Sequence, residues 1–129
     1  MISRTLTITI DSPAARVYDF IRNPGNIPLW ATTFCRAVKK TRGAWIIETA
    51  QGPLKLRIAK KNRYGILDHY ISQASAAEVF VPLRVMPNGK GSEVVFTLFQ
   101  RPGMTDKDLR KDAGLVRKDL LTLKRVMER

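Results

Sequence analysis

One cysteine and one histidine are all that this 129-residue chain has of the residues that most often build metal and redox sites. Cys35 alone can form no intrachain disulfide, and His69 alone can found no histidine-based metal cluster, so no metal and no cofactor is expected. Long hydrophobic runs are missing too. No stretch approaches the roughly 18 apolar residues of a membrane span, and Met1 to Ile10 alternates polar with apolar where a secretory leader would need an apolar core. A reducing, cytoplasmic setting is the expectation. Acidic residues are also scarce, 11 against 23 Lys and Arg, for a net charge of +12. Such a balance serves solubility or draws an anionic partner, and charge alone names neither. Its distribution is uneven, since Arg36 to Arg63 holds nine basic residues and a single acidic one, Glu48. No glycine-rich phosphate loop, nucleophile elbow or metal-ligand spacing occurs.

What is present organises around the segment Thr105 to Arg129. Leu109, Ala113, Val116, Leu120, Leu123 and Met127 recur at steps of four and three, which draws one apolar stripe along a helix of about 35 Å. Thr105 and Asp108 form a capping-box pair, and Lys124, Arg125 and Arg129 suit the negative end. Nothing upstream matches it. Ile2, Leu6, Ile8 and Ile10 alternate with threonines as a strand, and Ser12-Pro13 then reads as an N-cap with proline in the first turn of a short helix through Val17, Tyr18 and Ile21. Asn23-Pro24-Gly25-Asn26 stops that helix, and Ile27 to Trp30 makes a second brief turn.

From Phe34 the period becomes two. Strands are expected over Phe34 to Lys40, Ala44 to Thr49, Leu54 to Lys61, Ile66 to Gln73 and Glu78 to Met86, with a small-residue loop at Ala74 to Ala77. Pro87-Asn88-Gly89-Lys90-Gly91 is the strongest hairpin signal. Placing Val85 opposite Val94, Leu83 opposite Phe96 and Val81 opposite Leu98 gathers six apolar residues on one face and sends Arg84 outward. A one-residue slip would bury that cation. The sum is an α+β domain spanning 1–129: a curved seven-stranded antiparallel sheet wrapped around the C-terminal helix, with two short helices between strands 1 and 2. One helix cannot fill the concave side of so wide a sheet, so a hollow is expected there.

The strand leading into Ser12 to Ile21, the elbow Pro24 to Trp30, the strand entry Tyr64 to His69 and the long terminal helix resemble the SRPBCC superfamily. START-like lipid carriers and polyketide cyclase/dehydrase-like proteins belong to that group, and its helix-grip fold implies a hydrophobic cavity. Candidate lining residues are Trp30, Phe34 and Trp45, then Leu56, Ile58, Leu67 and His69. The hairpin would add Val81, Leu83, Phe96 and Leu98, and the helix Leu109, Ala113, Val116 and Leu120. Ala113, the smallest of the stripe, is expected where the sheet stands furthest away. His69 shares its strand face with Leu67 and Ile71 while Asp68 points the other way, so no His69-Asp68 dyad is expected.

Three readings follow. In one, the cavity binds a small hydrophobic or aromatic molecule, as carrier, sensor or accessory protein, with His69 as a polar anchor. In another, His69 shifts a proton in a cyclase-like reaction. The third uses the basic outer face, with Lys55, Arg57 and Lys61 on one strand, to meet nucleic acid or another anion, although few aromatics interleave with that cluster.

Overall fold

Alternation makes β1 (Ser3–Ile10), which buries Leu6 and Ile10 and packs Ile8 beside them. In the computed structural model, which describes residues 1–73 and 76–129, helix α1 (Ala14–Arg22) follows and buries Val17, Tyr18 and Ile21. Ser12 does not cap it. Pro13 occupies the cap position in extended conformation, and its carbonyl accepts from the N–H groups of Arg16 and Val17 at 3.0 and 3.1 Å. Ser12, one residue too early, is buried and accepts from Arg16 Nη1. A 3-10 turn at Pro24–Asn26 leads into α2 (Ile27–Trp30), and the Ala31 carbonyl then takes the N–H groups of Phe34 and Cys35. Those bonds prolong the elbow, so β2 begins at Ala37 rather than Phe34.

β2 (Ala37–Thr41) and β3 (Ala44–Thr49) meet through the two-residue turn Arg42-Gly43, both left-handed as a tight hairpin demands. β4 (Gly52–Ile58) stops short of Lys61 because Asn62 organises a turn. Its Oδ1 accepts from the N–H groups of Tyr64 and Ile66, and its Nδ2 donates to the carbonyls of Lys60 and Ile66. β5 (His69–Ser72) comes next, and of the loop expected at Ala74 to Ala77 the first two residues lie outside the described ones.

The expectation of seven strands in one sheet is corrected at Pro82. Glu78 to Met86 is not one strand but two, β6 (Val79–Val81) and β7 (Leu83–Asn88), and with β8 (Gly91–Phe99) the count becomes eight. They form a three-stranded sheet, β1-β8-β7, and a five-stranded one, β2-β3-β4-β5-β6. Proline has no N–H for a ladder and breaks it. The register nevertheless runs on through the break: Ile66 lies opposite Arg84, Leu67 N–H donates to the Leu83 carbonyl at 2.8 Å, and His69 lies opposite Val81. Asp68, opposite Pro82, offers its side chain where the backbone cannot pair, accepting from Leu83 N–H at 3.0 Å. The hairpin register is as expected for Val85 with Val94 and Leu83 with Phe96. Val81 does not join that ladder with Leu98; beyond Pro82 it belongs to the other sheet. Arg84 points outward to a 2.9 Å ion pair with Asp68.

Helix α3 (Asp106–Met127) carries the capping box of Thr105 and Asp108 and buries the expected stripe, with Val116 partly covered. It lies on β1 and β8. Its end is clasped there: Lys124 Nζ donates to the Thr9 carbonyl at 2.8 Å, Arg16 Nη1 to the Met127 carbonyl at 2.7 Å, and Glu128 accepts from Asp11 N–H at 2.8 Å. Because the helix rests on the smaller sheet, the larger sheet curls past it and leaves space beneath. No helix among the described residues is long and apolar enough to cross a membrane.

Candidate functional site

The inward side chains of β4, β5 and β6, the helical elbow and one flank of α3 enclose a hollow of about 810 Å³. Leu56 and Ile58 come from β4, His69 and Ile71 from β5, Val81 from β6, Leu83 from β7, and Phe96 and Leu98 from β8. Trp30 and Phe34 close it from the elbow, and Val116 from the helix. Phe80, Thr97 and Phe99 extend the lining to a slot between β6 and the end of β8, which share no ladder. There Phe80 stacks on Phe99 at 6.4 Å and meets the Tyr70 ring at a tilt at 5.1 Å.

Five residues expected to line the hollow do not. Leu67 is fully buried in the main core with α1, because its strand face curves from the hollow toward that helix. Leu109, Ala113 and Leu120 are buried where α3 meets the smaller sheet, so Ala113 marks close approach and not the widest gap. Trp45 does share the inward face with Ile47, but near the far end of β3, where it packs with Cys35, Ile47 and Leu56 and lies 5.6 Å beneath Lys40 Nζ. Cys35 is itself buried, which raises its thiol pKa and keeps it protonated.

His69 presents one ring nitrogen to the protein. Nδ1 lies 3.1 Å from the Leu67 carbonyl, which can only accept, so Nδ1 carries the proton and Nε2 holds a lone pair. No described residue donates to Nε2. Burial depresses the imidazole pKa below its ordinary 6.5, against smaller opposing effects of that carbonyl and of Asp68. The ring meets Phe96 edge-on at 6.4 Å. Asp68 faces away, as strand parity requires, and although burial pushes its carboxyl up, Arg84 and the Leu83 N–H outweigh that and hold it below the ordinary range.

The depressed imidazole pKa fixes a pH dependence. Unfolded, His69 takes up a proton near 6.5; folded, it does so only at lower pH, so the unfolded chain binds more protons between the two values. The stability is fully present above 6.5 and is lost as pH falls from there toward the folded value. Urea denaturation at pH 7.5 and 5.5 should show the parent losing more stability on acidification than His69→Gln. Equal losses would mean the imidazole is not desolvated.

Asp119 was not among the expected site residues. It sits beside Leu120 on α3, is 5% exposed, lines the hollow, and accepts from Thr33 N–H at 2.9 Å and Thr33 Oγ1 at 2.8 Å. Burial raises its pKa despite those two bonds. A buried polar residue flanking an apolar stripe is the one signal that periodicity offers, and its partner is far away in the chain. Asp108, Lys111 and Asp112 continue the same helix flank to the rim, with Arg101 nearby. Trp30, 7% exposed, has an indole N–H with no partner among the described residues.

The basic outer face is less open than its composition implies. Arg57 pairs with Glu78 at 3.0 Å and covers the Tyr70 ring at 4.3 Å, Lys39 pairs with Glu48 at 3.4 Å, and Lys61 lies beyond the end of β4, off the strand that carries Lys55. Among the described residues no group of His, Cys, Asp and Glu is arranged to hold a metal.

No protein-family model matches the sequence, and no curated protein matches it. Solved structures do. The protein XoxI from Bacillus cereus superposes with a TM-score of 0.79 at 17% identity, covering 98% of this chain and 96% of that one. The Aha1 dimer of Colwellia psychrerythraea gives 0.77 at 13% identity over 99% and 97%. A START superfamily protein from Mycobacterium smegmatis gives 0.76 at 8% identity over 98% and 97%. The likeness is one of fold: the chain, with antiparallel sheets around one long C-terminal helix, has a START-like, helix-grip architecture.

Proposed function

We propose that the chain binds a small hydrophobic or aromatic molecule in the hollow, as a carrier, sensor or accessory protein. The observation that carries this reading is the hollow itself: about 810 Å³ lies within the usual range of ligand pockets, roughly 300 to 1,000 Å³, and most of its wall is apolar. A solid core would have no such space. The cyclase-like alternative needs a proton-shuttling group oriented by a second one, and His69 is held by a backbone carbonyl, with no carboxylate among the described residues in hydrogen-bond reach. The nucleic-acid alternative loses support because Arg57 and Lys39 already have acidic partners. The buried lone thiol suits a reducing cytoplasm.

Two substitutions on neighbouring turns of α3 separate ligand space from core. Val116→Trp enters the hollow and should lower binding of an apolar fluorescent probe roughly tenfold while leaving the fold intact. Ala113→Phe enters packed core and should cost about 1 to 3 kcal/mol in urea denaturation. Native mass spectrometry of the purified protein should show a co-purifying small molecule. A parent protein that carries no molecule and binds no probe would end this reading.

A further inference from the structure

Resting on the ligand-binding reading, the geometry points to a narrower class of ligand: a neutral molecule with a ring-sized apolar body and a hydroxyl group. The hydroxyl donates to His69 Nε2. The argument is one of unmet hydrogen bonds. His69 Nδ1 is committed to the Leu67 carbonyl, which leaves Nε2 as an acceptor in an otherwise apolar stretch of wall. Trp30 contributes only its ring, because its indole N–H is buried beyond the reach of a molecule in the hollow. Leaving that acceptor unpaired against an apolar ligand is costly, and a ligand hydroxyl removes the cost. The apolar body is set by Phe34, Phe96 and the Trp30 ring, whose flat faces suit a ring.

Charge excludes the obvious rival, a fatty acid or other anion. Although the chain carries +12, the helix flank of the hollow presents Asp108, Asp112 and Asp119, and the cations that reach it, Lys111 and Arg101, are exposed at the rim. Among the described residues no buried cation waits inside for a carboxylate, and an anion would be desolvated beside Asp119. A cationic ligand fits little better, because both oxygens of Asp119 already accept from Thr33 and the wall around His69 is apolar.

Four probes of one shape test this with the intact protein: naphthalene, 2-naphthol, 2-naphthoate and 2-naphthylmethylammonium, titrated at pH 7 by calorimetry. Naphthol should bind about tenfold tighter than naphthalene, the worth of one neutral hydrogen bond, and naphthoate more weakly than either. His69→Phe should bring naphthol to the affinity of naphthalene. Because the chain has a single histidine, its Nε2 resonance can be followed in the parent without any substitution. That resonance should shift on adding naphthol and stay in place on adding naphthalene. Tightest binding by naphthoate or by the ammonium probe overturns the proposal, as does an Nε2 signal indifferent to naphthol. Equal affinity for naphthalene and naphthol overturns it while leaving the hydrophobic cavity standing, whereas binding by none of the four removes both.

Discussion

Gly65→Ala is expected to cost about 3 to 5 kcal/mol, among the largest effects of any single methyl group in this chain. Two penalties combine. Gly65 has φ +73°, a left-handed conformation that costs other residues about 1 to 2 kcal/mol. A Cβ there would also stand 2.0 Å from the Val85 carbonyl oxygen, a backbone atom with no rotamer to escape into. The strands cannot simply part, because Gly65 and Val85 are joined by the Val85 N–H bond to the Gly65 carbonyl at 2.9 Å, next to the Leu67 to Leu83 bond that stitches the two sheets. Thermal and urea unfolding would check it, with Gly89→Ala as a control for left-handed strain alone, since a Cβ at Gly89 meets nothing within 4 Å. Equal costs at both positions would mean that the close approach is not there.

Leu120→Asp is expected to cost more than about 4 kcal/mol or to prevent folding outright. Leu120 is 2% exposed at the centre of the main core, among Leu6, Leu83 and Val94. A carboxylate there would lose its hydration and find no donor, and Asp119 next to it is already a buried acid. Lys118→Ala on the solvent side of the same helix should change stability by less than about 0.5 kcal/mol. An unchanged melting temperature for Leu120→Asp would show that α3 does not dock on β1 and β8.

Local chemistry made much of this fold legible in the sequence. The hairpin register follows from pairing Val85 with Val94 across a glycine turn, and the helix stripe from steps of four and three, because each depends on neighbours a few residues apart. Pro82 was equally visible, yet its consequence depends on Asp68 standing opposite to replace a missing bond. Strand parity told which face Trp45 and Leu67 occupy, and both face inward. What parity cannot tell is where along a curved strand the enclosed space begins and ends. Asp119 was hidden for another reason: its meaning lies in Thr33, brought to it by the elbow. The same holds for the basic face, where Glu78 reaches Arg57 from just ahead of β6.

The clasp at the end of α3 bears on how the chain assembles during synthesis. β1 is made first, yet its partner β8 and its covering helix α3 come last, and Thr9, Asp11 and Arg16 wait for Lys124, Met127 and Glu128. The hairpins β2-β3 and β3-β4 can close locally, but the apolar faces of the strands stay wet until about residue 127 has left the ribosome. The contacts of β1 with β8 and with the end of α3 therefore span most of the chain, a topology that slows folding and prolongs exposure to aggregation. Moving the start of the chain to the exposed Gly89-Lys90 turn by circular permutation would place β8 and α3 ahead of β1. β8 and β1 could then pair beneath α3 before the cavity walls are made, with β7 joining last.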